Sequence, residues 1–270
     1  MTAINLVVLI EAALLSGAIV LFAGALRFLT ISGAVAAFLV GFVIFGFGGI
    51  GFAVPLLTFF FSSSLLSVLF RLRKRDSSSH YQKRSCRDAG QVLANGGVAV
   101  LLTLFFFRFP VRLTFMVFLS SLAAVNADTW ATEIGVLSPG KPRLLTSWKK
   151  VEAGTSGAIS WLGILASLAG SAAIYGSSVF YWNYDAAEMI SVIWAGFMAA
   201  LLDSILGASL QRQYCCVKCG QRVETAAHCG APAEAAHGFR WINNDVVNLI
   251  TALAGAIFGW ILLRYYAYPS

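Results

Sequence analysis

The sequence predicts an all-α, polytopic integral membrane protein: a bundle of about eight transmembrane helices with both termini outside the cytoplasm. Three observations carry that reading. Hydrophobic residues make up 59% of the 270-residue chain and charged residues 11%, far from the roughly one-quarter charged content of soluble domains. Apolar runs approaching the ~20 residues that cross a bilayer recur along the whole length, which implies a single membrane domain. Lys and Arg, finally, are unevenly divided between alternate loops.

Taken in order, the spans fall at about 4–26, 33–50, 52–70, 89–107, 113–127, 155–177, 187–209 and 246–266. The first has no Lys or Arg before Arg27 and is interrupted by Glu11, so it does not read as a cleavable signal peptide. The second and third meet at "GFGGIGFAVP", which predicts either a tight turn or a break inside one bent element. Residues 71–87 form a basic loop that anionic lipid would attract. Residues 128–154 read as a catalytic loop and 211–242 as a Cys-rich loop. Of the 19 Lys and Arg, all but Arg108, Arg112 and Arg264 follow odd-numbered spans. The positive-inside rule places those loops in the cytoplasm. The net charge of +7 is therefore a topology signal and calls for no nucleic acid.

Polar residues at the span ends gather on that same side. Asp88, Gln91 and Asn95 open the fourth span at i, i+3 and i+7, which is one helix face. Asn126 and Asp128 close the fifth, in the stretch "NADTWATEIG" that also carries Glu133. Asp203 sits in the otherwise apolar "MAALLDSILGASL" of the seventh, with Gln211 beyond, and Asn243, Asn244, Asp245 and Asn248 begin the eighth. Ionisable groups within a membrane are expensive and mark functional sites. Any single one of them also reads as a helix cap.

Before the sixth span, Lys149 and Lys150 precede Gly154-Thr155-Ser156-Gly157, which is expected to open the helix. Glycines admit close approach and the first N–H groups of a helix are unpaired, so the run reads as a phosphate cradle or as an ordinary N-cap. Carboxylates suited to Mg²⁺, set beside basic groups and helix-terminal amides, are the equipment of phosphoryl transfer. In the last loop, "QYCCVKCGQRVETAAHCG" holds Cys216-x-x-Cys219 and His228-Cys229. A Zn²⁺ site and free thiols are equally compatible with that pattern, and a disulfide less so in the cytoplasm. Neighbouring His and Cys are an awkward pair of ligands for one ion.

The segments "RDAGQVLANGG", "NADTWATEIGVLS", "LLTSWKKVEAGTSGAIS", "LLDSILGASLQ" and "NNDVVNL" resemble the DUF92 family, which includes transmembrane protein 19 and the phytyl-phosphate kinases of plants and cyanobacteria. The resemblance runs from Arg87 to the C-terminus. More distantly, Asp128-Thr-x-Ala-x-x-x-Gly135 with Lys150-Val-x-x-Gly154-Thr is similar to the phytol and dolichol kinases and the phosphatidate cytidylyltransferases, which use CTP or another nucleotide with Mg²⁺.

What this resemblance implies is a nucleotide-dependent kinase acting on phytyl phosphate or a similar isoprenoid phosphate. A prenol kinase and a lipid cytidylyltransferase are the alternatives. Asp128 and Asp203 would hold Mg²⁺, with Glu133 and Asp245 as helpers. Lys149, Lys150, Gly154 and the amides of Thr155, Ser156 and Gly157 would take the nucleotide phosphates, and Arg84 and Arg87 the acceptor phosphate. Asp88, Gln91, Asn95, Asn126, Asn244 and Asn248 would complete substrate binding. The expected location is a bacterial cytoplasmic membrane, with the site facing the cytoplasm. A small-molecule transporter would instead place polar groups at the midplane, often with internal repeats, and a scaffolding protein would need none of the acidic positions.

Overall fold

The computed structural model describes residues 6–76, 86–183, 185–220 and 222–268, the side chains of 71–76 excepted. Its helices are α1 (Leu6–Ala25), α2 (Ile31–Val43), α3 (Ile50–Asp76), α4 (Ala89–Arg108), α5 (Arg112–Gly135), α6 (Trp161–Ser178), α7 (Ala186–Ser209) and α8 (Asn244–Tyr266). Seven of these, α2 only together with the turn that continues it to Gly48, are long and apolar enough to cross a membrane. The exception, α6, has 18 residues rich in Gly, Ala and Ser; at 1.5 Å per residue it still reaches roughly the thickness of a bilayer core. The run "GFGGIGFAVP" is a tight turn: α2 passes into a π-helical turn at Ile44–Gly48, and Gly49, at φ 71°, separates it from α3.

The fifth helix is the axis of the bundle. It packs against α3, α4, α6, α7 and α8, and 78% of its apolar stretch is buried, against 17% for α1. Every residue from Thr114 to Ala127 is buried. Small residues let α8 come close: a Cβ on Gly255 would lie 2.5 Å from the Cβ of Ala124, and one on Gly259 only 2.2 Å from the Ser120 hydroxyl. Two i, i+4 pairs thus form the seam, and since lipid is as apolar as either helix, close packing rather than hydrophobicity holds it.

At the end where α5 and α7 begin, the polar groups are closed off. The Arg112 guanidinium donates to both oxygens of Glu188, at 2.7 and 2.6 Å, and to the Asn183 carbonyl at 2.8 Å. Tyr268, just beyond α8, donates its hydroxyl to Glu188 as well. Trp182 stacks on Phe115 with 4.8 Å between ring centroids and covers the cluster.

Several expected boundaries shift. The fifth helix runs to Gly135, so Asn126 and Asp128 lie inside it and the connecting loop begins at Val136 rather than at 128. The sixth begins at Trp161, where Ser160 accepts from the Gly163 N–H at 3.2 Å; residues 154–157 therefore precede it in turns and do not form its N-terminus. The loop expected at 71–87 starts as the last turns of α3, and Arg84 lies outside the described residues. The expected loop at 211–242 contains an antiparallel sheet of β3 (Gln213–Cys216), β4 (Arg222–Val223), β5 (Ala227–His228) and β6 (Ala231–His237) in the order β4-β3-β6-β5. A smaller hairpin pairs β1 (Arg143–Leu144) with β2 (Ala158–Ile159).

Candidate active site

A cavity of about 950 Å³ opens at the end of the bundle where α4 and α8 begin and α5 and α7 finish. Asp88, Asp128, Asp203 and Asp245 line it, each contributed by a different helix or its cap. Asp88 caps α4, accepting the Gln91 N–H at 3.0 Å. Asp128 shares its face of α5 with Ala131, Thr132 and Gly135, an i, i+3, i+4, i+7 stripe along the cavity wall. Asp203 on α7 accepts the Thr251 hydroxyl of α8 at 2.8 Å, which fixes its carboxylate between two helices.

Asp245 approaches because Gly90 has no side chain. A Cβ on Gly90 would lie 2.5 Å from one Asp245 oxygen and 3.4 Å from one of Asp88. The two carboxylates are thus drawn together over the first turn of α4, whose positive dipole end favours anions. Four carboxylates around one space offer hard oxygen donors of the kind a divalent cation takes.

The opposite wall is loop and sheet. Gly157, at φ 75°, lies against α7 one turn past Asp203; a Cβ there would fall 2.3 Å from the Ser204 carbonyl. A position needing both a left-handed backbone and no side chain accepts only glycine. Ser156 donates to the Gln211 side chain at 3.2 Å, and Thr155 turns back onto the Glu152 carbonyl at 2.8 Å. Gly154, Thr155, Ser156, Gly157 and Asn244 all face the cavity. Strand β4 adds Arg222 and the bend after it Glu224, and among the described residues Arg222 is the lone Arg or Lys in the wall.

Other expected residues point elsewhere. Glu133 is five positions after Asp128, roughly 140° around the helix; it faces α3, where Ser67 donates to it at 2.9 Å. Asn126 is fully buried and consumed in packing, donating to the Gly170 carbonyl at 2.8 Å and accepting from Ser62 at 3.3 Å. Lys149 and Lys150 are exposed outside the cavity wall, beside the β1–β2 hairpin. Asn248 lies a turn beyond Asn244 and does not reach the wall.

Arg87 donates to Ser63 at 2.7 Å and lies 5.2 Å over the Phe59 ring. Burial pulls its guanidinium down to about 10, against the upward pull of Glu133, so it stays charged at neutral pH. With Gln91 and Asn95 it forms the polar end of a slot of about 60 Å³, walled otherwise, apart from Ser16, mainly by apolar side chains of α1 to α4. Gln91 lines both the slot and the cavity.

The ligand atoms of Cys216, Cys219, His228 and Cys229 lie within 4.8 Å of one another. The awkwardness of a neighbouring His and Cys is removed by the backbone: Cys229 takes a left-handed conformation at φ 53°, which brings its sulfur 3.2 Å from His228 Nδ1. Backbone N–H groups, that of Cys219 foremost, hold the Cys216 thiol down to about 6, so thiolate predominates at neutral pH. Arg222 and Glu224 had no signature in the sequence. Their one signal was charge placed between the two ligand pairs.

Fold and site together define a polytopic membrane protein with a spacious acidic cavity at one end of its bundle. The chain belongs to the DUF92 family of integral membrane proteins, whose profile matches residues 14–256. It is similar to an uncharacterized membrane protein of Methanocaldococcus jannaschii, 30% identical over 239 residues that cover 87% of this chain and 86% of the relative. It is also similar to protein PGR of Arabidopsis thaliana, 29% identical over 251 residues, 83% of this chain and 85% of that one. The chloroplastic protein VTE6 of the same plant is 27% identical over 244 residues, 88% of this chain and 66% of that one. No solved structure matches the chain.

Proposed function

We propose that the protein is a membrane-embedded, nucleotide-dependent kinase of prenyl phosphates, converting phytyl phosphate or a similar isoprenoid phosphate to the diphosphate. The observation that carries this reading is the convergence of Asp88, Asp128, Asp203 and Asp245, from four parts of the chain, on one cavity shared with Arg222. The resemblance to a family that includes phytyl-phosphate kinases, and the similarity to VTE6, support it. The charge bias of the loops favours a site facing the cytoplasm, in a bacterial cytoplasmic membrane.

Carboxylate oxygens are the hard donors that Mg²⁺ takes in phosphoryl-transfer sites, and the cavity volume lies in the upper part of the range for ligand pockets, so the residues present fit a metal–nucleotide. Asp128 and Asp203 would hold the ion, which when bound neutralises charge developing on the transferred group. Arg222 and the turn at 154–157 would orient the donor phosphates, in the place expected of Lys149 and Lys150. At about 60 Å³ the slot beside Arg87, Gln91 and Asn95 does not admit a prenyl chain as it stands; Gln91, which also lines the cavity, with Arg87 behind it, would reach the acceptor phosphate, and the chain would lie outside the slot. An acceptor phosphate oxygen forms a bond to the γ-phosphorus as the bond to the β-phosphate oxygen breaks, releasing the nucleoside diphosphate. The acceptor is already anionic, so no proton has to move.

The test uses purified protein with radiolabelled CTP or ATP. We expect saturable, Mg²⁺-dependent nucleotide binding and transfer of label from the γ-position to phytyl phosphate. Transfer to phytol instead would make it an alcohol kinase, with Asp88 or Asp245 as the first bases to examine. No Mg²⁺-dependent binding of either nucleotide would remove the reading.

A further inference from the structure

We infer that Cys216, Cys219, His228 and Cys229 bind one Zn²⁺, and that this ion holds in place the part of the cavity wall carrying Arg222 and Glu224. The argument starts from distances. A tetrahedral ion with Zn–S near 2.3 Å and Zn–N near 2.0–2.1 Å sets sulfur–sulfur edges of about 3.8 Å and sulfur–nitrogen edges of about 3.6 Å. The Cys219 and Cys229 sulfurs are 3.8 Å apart, and the Cys219 sulfur is 3.4 Å from His228 Nδ1. Cys229 lies 3.2 Å from the same nitrogen, slightly inside its edge. Thiolate and imidazole donors of this kind select zinc over Mg²⁺ or Ca²⁺, and four protein ligands leave no open position, which marks a structural site.

The second argument is the weakness of the sheet without a staple. Its strands β3, β4 and β5 have four, two and two residues, too few ladder bonds to stand alone against water. One ligand pair sits at the end of β3 and its following turn, the other at the end of β5 and beyond. The chain between Cys219 and His228 runs through β4, so a shared ion closes this short loop and fixes where Arg222 and Glu224 point. His228 itself both lies in the ligand set and lines the cavity. Cys86 and Cys215 have no place in the ligand set.

The experiment measures metal in the full chain, purified in detergent under reducing conditions without chelator. One zinc per chain is expected in the unaltered protein and in Cys86→Ser and Cys215→Ser, and less than a tenth of that in Cys219→Ser, Cys229→Ser and His228→Ala. Substitution by Co²⁺ should give the absorption of a tetrahedral thiolate site. Chelation should expose Lys218 and Arg222 to trypsin at least tenfold faster, and added zinc should restore protection. The chelation arm uses the unaltered protein, so it decides the matter even where variants do not insert. Absence of zinc and of the cobalt spectrum, or full zinc retention in Cys219→Ser, overturns the assignment. None of these readouts depends on kinase activity.

Discussion

At one end of the bundle Arg112, Glu188 and Tyr268 form a closed set in which opposite charges meet at hydrogen-bond distance beneath Trp182. At the other end Asp88, Asp128, Asp203 and Asp245 line an open cavity together with the Arg222 guanidinium. Both ends belong to the same helices: α5 and α7 contribute to each, and α8 runs from the acidic end to within two residues of Tyr268. The difference teaches how to separate polar groups that fasten a membrane bundle from those that act on something else. Fastening groups are matched in sign and filled. On the proposed reading the acidic groups are matched to a ligand, so their charges are unbalanced without it.

The comparison can be broken most decisively at the acidic end. Asp128→Asn and Asp203→Asn should each lower phosphotransfer by roughly a hundredfold or more, since a carboxylate ligand supplies several kcal/mol of transition-state charge stabilisation. Thermal stability should hardly change, and if both hold one ion, as proposed, the double variant should be scarcely worse than either single one. Near-additive losses in turnover would give the two residues separate roles.

At the closed end the prediction is reversed. Glu188→Gln should lower stability by about 1–2 kcal/mol, a buried-pair loss discounted because the Arg112 side chain is 31% exposed. Turnover per folded molecule should stay within about twofold. A large fall in turnover with unchanged melting would show that the two ends are coupled rather than distinct.

Smaller effects sharpen the boundary of the site. Glu133→Gln should change turnover by less than about fivefold, because a carboxylate facing Ser67 on α3 adds no interaction that strengthens in the transition state. Smallest of all, Lys149→Ala and Lys150→Ala should alter the KM for nucleotide by less than about twofold, as exposed lysines outside the cavity provide only screened attraction. A tenfold rise in KM for either would bring the hairpin into the site.

Much of this was readable in the sequence. The eight helices follow from apolar run length, and the four aspartates from their rarity in such runs. The end of the fifth helix was not legible, because "NADTWATEIG" is polar enough to read as loop. It stays helical because the stretch is covered by α3 and α6, which no local propensity reveals. The direction of Glu133 could have been read from the angle it makes with Asp128. The wall position of Arg222 could not, since it depends on how the chain between two ligand pairs closes. The glycines at 154 and 157 were legible as a site feature but misassigned to a helix start; Gly157 is required by contact with α7, a residue pairing 47 positions distant (204 − 157).

The burial of α5 has a consequence for biogenesis. With mean hydropathy 1.2 against 2.5 for α1, it is the least apolar of the seven candidate spans, because a helix enclosed by protein needs small and polar residues for packing rather than a greasy exterior. During synthesis it leaves the insertion machinery before α6, α7 and α8 exist, carrying Ser120, Ser121, Asn126 and Asp128 into lipid. An aspartate in the bilayer costs about 2.5–3.5 kcal/mol at the centre of a helix and less toward its ends. The nascent axis of the bundle is therefore a marginal membrane segment, retained by α3 and α4 until its later neighbours enclose it. Truncation after α5 should therefore leave that segment inserted, whereas the same segment expressed without α3 and α4 should fail to stay in the membrane.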